Sequence, residues 1–271
     1  MYVHESWPLY SEYLKLLLGG PYDTFSSRGL DEDLDNETDL FLTRDIVVMR
    51  ACTVGYEPCI QMAKERFAEL RKNCSGESQL LSGMSCNKIP YYLRSHVYAA
   101  AIKHGTDDDF DFLFAKRNME HYMMERDSMF TGLCNTQTRS RSDLAWKTLL
   151  KNRARENILF RCGHCSKRLY NDTLILEMFE DEPEYLKELT ETAENAVFTV
   201  LTLISRNLNT KEEVERFDKI LKPFNSFKKY MARPRALAFD RMKWREEVAP
   251  YFAANASEAA QEMKRFQLTA S

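Results

Sequence analysis

Gly55-Tyr56-Glu57-Pro58-Cys59-Ile60-Gln61-Met62-Ala63-Lys64-Glu65-Arg66-Phe67-Ala68-Glu69-Leu70 carries the fold in its spacing. Ile60, Ala63, Phe67 and Leu70 recur at helical steps of three and four. Pro58 stands where a first helical turn has no use for its missing N–H, and Gly55 ends the helix before it. The stretch reads as helix stop, tight turn, helix start. Working outward, Leu42, Ile46 and Met49 share the period, as do Leu186, Leu189, Ala193, Val197, Val200 and Ile204. Leu237, Arg241, Trp244, Val248 and Phe252 form a further stripe, with Arg241 snorkelling at its edge. Pro90, Pro183 and Pro234 mark further first turns, and Gly105 marks a further stop. Thr210 with Glu213 fits a capping box, and Asp107, Asp108 and Asp109 place negative charge at a helix N-terminus. With 9 Gly and 8 Pro the chain has few turn residues for a sheet protein, and no alternating strand is visible. The expectation is an all-α chain of roughly ten to twelve short helices in antiparallel pairs, stacked as a bundle or a curved solenoid.

Composition narrows the function. The 271 residues carry 38 Lys+Arg against 41 Asp+Glu, a net charge of −3, which argues against nucleic-acid binding through bulk charge. No stretch has the apolar length of a membrane span, and Met1–Glu5 does not open as a signal peptide. Yet sequons stand at Asn36, Asn73, Asn171 and Asn255, which leans towards a luminal or extracellular history. A piece of a longer protein reconciles the two; a complete chain would be cytoplasmic. No Gly, Ser or Pro linker divides the sequence, so 1–271 reads as one domain, with Cys74–Lys88 its longest polar interruption.

No catalytic constellation emerges. His4-Glu5-Ser6-Trp7-Pro8 begins like a zinc-protease helix but ends in Pro instead of the second His. Cys162-Gly163-His164-Cys165 resembles an isomerase dithiol, but without the strand that fold requires, and a zinc site there would need a second ligand pair. Cys52 and Cys59 flank the turn at Gly55; spacing alone leaves open two free cysteines or a bridge worth about 2.5 kcal/mol. The other five cysteines, Cys74, Cys86, Cys134, Cys162 and Cys165, have no pairing legible in the sequence. Nine bases against two acids lie between Arg139 and Arg168, followed by the acidic stretch Asp172–Glu194. These stretches read as solvated faces that pair with each other. The sharper reading is a basic wall, with Arg139, Arg141, Lys147 and Lys151 facing a peptide carboxylate.

The segment Leu42-Thr43-Arg44-Asp45, then Arg50-Ala51-Cys52 through Pro58-Cys59, resembles the C-terminal domain of the zinc aminopeptidases, the aminopeptidase N and endoplasmic-reticulum aminopeptidase family. So does Leu93-Arg94-Ser95-His96-Val97-Tyr98-Ala99-Ala100-Ala101-Ile102-Lys103-His104-Gly105 followed by acids and Phe110-Asp111-Phe112. The likeness is specific from Asp39 to Cys134 and returns at Asn207–Glu213 and Arg235–Phe252.

That resemblance implies a HEAT-like α-superhelix that closes the substrate chamber over a catalytic domain, helps select peptides and in some members dimerises. It implies a Cys52–Cys59 bridge. It implies zinc in the parent enzyme but no cofactor here, because the family's zinc helix and peptide-binding motif are missing from these residues. The family's second disulfide would begin at Ala99, which leaves its partner position, Cys134, without that mate. The expected partners are peptides and an aminopeptidase catalytic domain, with no nucleic acid. The alternative is a stand-alone helical interaction module without peptidase activity.

Overall fold

In a computed structural model the described residues are 7–31, 37–76, 78–83, 85–151, 210–222 and 228–248, with scattered positions in 176–208 and 250–262. Among them the regular secondary structure is all helical: α1 Trp7–Arg28, α2 Thr38–Val54, α3 Glu57–Asn73, α4 Tyr91–His104, α5 Asp107–Met119, α6 Met123–Leu133, α7 Arg139–Lys151, α8 Lys211–Leu221 and α9 Lys228–Glu247. The chain divides into two compact units, residues 4–135 with 252–271, and residues 136–251 with 1–3. The run Leu186–Ile204 lies largely outside the described residues, and His4, Glu5 and Cys162–Cys165 lie wholly outside.

The α2–α3 turn forms as its residues dictate. Gly55 takes φ +86°, a left-handed conformation that a Cβ would strain, so the Tyr56 N–H can reach back to the Ala51 carbonyl at 2.9 Å. Pro58 sits in the first turn of α3, which buries Ile60, Ala63, Phe67 and Leu70. Cys52 and Cys59 are joined across the turn. The face of α2 differs from its expected one. Val47, Val48 and Ala51 are buried, whereas Leu42 and Ile46 are more than half exposed. The register is set by Arg44, which is buried with its guanidinium 4.5 Å from the Tyr92 ring centre and 5.5 Å from that of Phe41. In the other unit α9 buries Ala238 and Met242, while Trp244 is half exposed and Pro234 lies inside the helix rather than in its first turn.

Within residues 4–135, α4 is the central element. It packs against α2, α3, α5 and α6. The first turns of α2 and α4 meet through Phe41 and Tyr92, and those of α4 and α6 through Arg94 and Glu125. Further along, Asp45 meets His96, Lys103 meets the Thr53 carbonyl and Gly132 lies against Tyr98, so these three helices run in one direction, with α6 packed directly on α4 and with α3 and α5 intervening in the chain. The pair Arg94–Glu125 is buried, with Nη1–Oε2 2.5 Å. Arg94 also donates to the carbonyls of Ile89 and Leu81 at 2.9 and 3.0 Å, and Tyr98 donates its hydroxyl to the other Glu125 oxygen at 2.8 Å. Burial pushes the Glu125 carboxyl up, against the pull of Arg94 and Tyr98.

The Glu125→Gln variant removes one member of this buried pair and leaves a guanidinium unmatched. Urea unfolding should show a loss of about 3–5 kcal/mol. The double change Arg94→Met/Glu125→Leu should cost clearly less than Glu125→Gln alone, because no buried charge is then stranded.

Candidate functional site

Among the described residues no group of three His, Cys, Asp or Glu side chains is placed to hold a metal ion. A zinc centre of the aminopeptidase kind therefore has no ligand set there, and no chemical step can be assigned through one. What the structure offers instead is charge, placed differently in its two units.

In residues 136–251, α7 carries the basic residues singled out from the sequence. Arg139 bonds Asp143 one turn on, Nε to Oδ1 3.0 Å, and also pairs with Glu177 from the acidic stretch. Arg216 on α8 forms a second such tie, to Glu180. The partners raise the Arg139 guanidinium above its ordinary range, although burial opposes them. Arg141 and Lys147 are half-buried, and Lys151 closes the helix.

In residues 4–135 the segment between α3 and α4 is bound down at many points. A second disulfide, Cys74–Cys86, ties it into a loop, a constraint worth about 3 kcal/mol in the chain-entropy picture. Lys116 donates to the carbonyls of Gly76 and Gln79 at 2.6 and 3.0 Å. Glu120 accepts from the Ser82 N–H and hydroxyl and from the N–H groups of His121 and Tyr122, all within 2.8–3.0 Å. Burial pushes the Glu120 carboxyl up, but these donors outweigh it and hold the group below the usual carboxylate range. The buried Asn87 amide bonds the Leu81 carbonyl and the Tyr98 hydroxyl. Cys134 also takes part in a disulfide, which corrects the expectation that it stands alone. Of the sequons, Asn73 is exposed at the end of α3, with its middle residue Cys74 disulfide-bonded, and Asn255 is exposed. Asn36 and Asn171 lie outside the described residues.

A groove of about 640 Å³ runs between α3, the last turn of α4 and the start of α5. Lys64, Phe67, Arg71 and Lys72 come from α3, His104 from α4 and Asp109 from α5. Gly105 allows the close approach of α4 to α5, since a Cβ there would lie 2.3 Å from the Ala101 carbonyl oxygen and 2.5 Å from Asp109. Asp109 accepts the Thr106 N–H at 2.7 Å and the Arg71 guanidinium at 2.6 Å. Burial pushes Asp109 up, yet these bonds prevail and lower it. Lys64 and Lys72 are exposed and make no hydrogen bond or ion pair among the described residues. The buried Nε2 of His104 likewise has no partner among them. Burial, then Lys103 and Lys64, lower His104 to about 4, with Glu57 opposing, so its imidazole is neutral at pH 7. Sequence reading missed this groove. Its only signal is the bases Lys64, Arg71 and Lys72, which recur at helical spacing along α3 and look like an ordinary solvated face.

The family model that matches is the ERAP1-like C-terminal domain, over residues 1–243. No curated protein matches the chain.

The depressed His104 gives the fold a pH dependence of known sign. In the window from its ordinary 6.5 down to about 4, the unfolded chain takes up a proton that the folded one refuses. That contribution to stability is present above the window and is lost as pH falls through it. The difference in unfolding free energy between the parent chain and His104→Gln should therefore change between pH 7 and 4, with the parent losing more on acidification. Denaturant melts of both chains across that range measure it.

Proposed function

The chain belongs to the ERAP1-like C-terminal domain family, and from that premise we propose that it is the non-catalytic part of a zinc aminopeptidase. In this reading the helices cap the substrate chamber of a catalytic domain, supplied on the same polypeptide or as a separate one, and help bind peptide during N-terminal trimming. The family match over residues 1–243 is the observation that carries the proposal. The run of parallel α2, α4 and α6 with α3 and α5 between them in the chain supports a HEAT-like superhelix, a form suited to a concave wall.

Such a wall acts by exclusion and by field rather than by chemistry. A rigid cap keeps peptide near the reacting centre and limits the lengths that fit. The field of the α7 bases Arg139, Arg141, Lys147 and Lys151 would draw the peptide carboxylate, which would have to displace Asp143 and Glu177 to bond Arg139 itself. Two disulfides within residues 52–86 support an oxidising compartment, hence a secreted or luminal protein. There Asn73 and Asn255 would be the exposed glycan acceptors, and a dimer would follow the habit of some family members. No described helix is long and apolar enough to cross a membrane.

The purified chain should release no product from a leucine anilide and should hold no stoichiometric zinc. Supplied with an aminopeptidase catalytic domain that lacks its own C-terminal domain, it should bind and shift the peptide-length preference of hydrolysis. Turnover by the chain alone that a chelator abolishes would overturn the proposal, as would a failure to associate with any such catalytic domain.

A further inference from the structure

The groove between α3, α4 and α5 has no part in the reading above, and its contents are specific enough to argue from. It contains three cations, Lys64, Arg71 and Lys72, against one carboxylate, Asp109. Asp109 is already matched, by Arg71 and by the Thr106 N–H. Arg71 uses Nη1 for that bond and is about a third exposed, so donors of its planar fork remain for a ligand. Lys64 and Lys72 are exposed and make no ion pair among the described residues. His104 presents a neutral ring whose Nε2 is buried and unmatched. Ala68 is exposed between the charges, next to the buried Phe67.

We propose that this groove is a docking site for an acidic peptide segment of a partner protein, in which a side-chain carboxylate meets Lys64, Arg71 and Lys72 and a neighbouring apolar side chain lies over Ala68 and the lysine stems. The argument is charge complementarity together with size. A volume of about 640 Å³ far exceeds one isolated oxyanion and suits a short peptide stretch. A densely sulfated glycan fits less well, because the groove offers its many charges only three cations, one of them already bound to Asp109. The inference goes beyond the chamber-capping reading and does not rest on it, since the ligand contributes an internal side chain and no free C-terminus.

Protonation supplies a signature that a nonspecific basic surface would lack. His104 faces Lys103 and Lys64, with Glu57 the one acid acting on it, and the groove adds Arg71, Lys72 and Asp109. A bound carboxylate offsets those cations and makes a charged His104 easier to form. Binding should therefore tighten as pH falls from 7 to 5, where a peptide glutamate, ordinarily near 4.3, is still ionised.

The test is fluorescence anisotropy with the full 271-residue chain and a fluorescein-labelled, C-terminally amidated peptide of alternating leucine and glutamate. The amide removes the terminal carboxylate, so a failure of this proposal is distinct from a failure of the chamber-capping one. The peptide should bind, and its glutamine counterpart should not. Lys64→Glu/Lys72→Glu should weaken binding about tenfold or more, and Lys64→Gln/Lys72→Gln by less, while Lys243→Glu on α9 leaves it unchanged. His104→Gln should remove the gain between pH 7 and 5. Equal binding of the two peptides, or undiminished binding by both double variants with native helical circular dichroism, would overturn the proposal. So would a heparin-derived oligosaccharide that displaces the peptide at lower concentration and itself depends on Lys64 and Lys72, which would assign the groove to a glycan.

Discussion

The buried contact between Arg94 and Glu125 constrains a large part of residues 4–135. Two ions out of water are tolerated only when every remaining donor and acceptor is met. Here that requirement reaches well beyond the pair. Arg94 needs the carbonyls of Leu81 and Ile89, which fixes where the α3–α4 segment runs. Glu125 needs the Tyr98 hydroxyl, which in turn receives the Asn87 amide. One ion pair thus sets the register of α6 on α4 and the path of the chain that leads into α4. Apolar packing alone would allow neighbouring registers; a buried guanidinium with two carbonyl partners allows few.

The same segment shows how a polar stretch stays in place without a hydrophobic core of its own. Lys116 holds its first part, Glu120 its middle and Asn87 its end, while Cys74–Cys86 shortens the unfolded chain that must be ordered. The clamps come from α5 and from the turn before α6, so the loop and the helices after it are interdependent. This coupling fits a scaffold whose surfaces must keep their spacing against a partner.

The legible and illegible parts of the fold divide along physical lines. Gly55, Pro58, Thr210 with Glu213 and the Ile60–Leu70 stripe all act within one or two turns of chain, and each was readable. The α2 face was not, because periodicity treats arginine as solvent-facing, and Arg44 instead lies over Phe41 and Tyr92 and turns Leu42 and Ile46 outward. On α9 the small Ala238 and flexible Met242 take the interior, and the bulkier Trp244 is left at the surface. Arg94 and Glu125 are separated by thirty-one positions, and nothing in a linear reading distinguishes them from surface charges. The groove is invisible for a related reason: it is assembled from three helices, each of which contributes residues that look ordinary alone.

Charge counted along a chain and charge available for recognition are different quantities. The stretch after Arg139 is strongly basic, yet Arg139 is bound to Asp143 and Glu177, and the acidic stretch that holds Glu177 and Glu180 also meets Arg216. Lys64 and Lys72 stand in a helix that also carries Glu57, Glu65 and Glu69, so the local sum is unremarkable, but the acids lie outside the groove lining and the lysines within it. An exposed ion pair already satisfies most of its field at short range, and a ligand must break it before gaining anything. Two unmatched ammonium groups require no such exchange. In the α3–α5 groove the fold sets those two ammonium groups beside Arg71, and that placement, not the local charge sum, is what a ligand would meet.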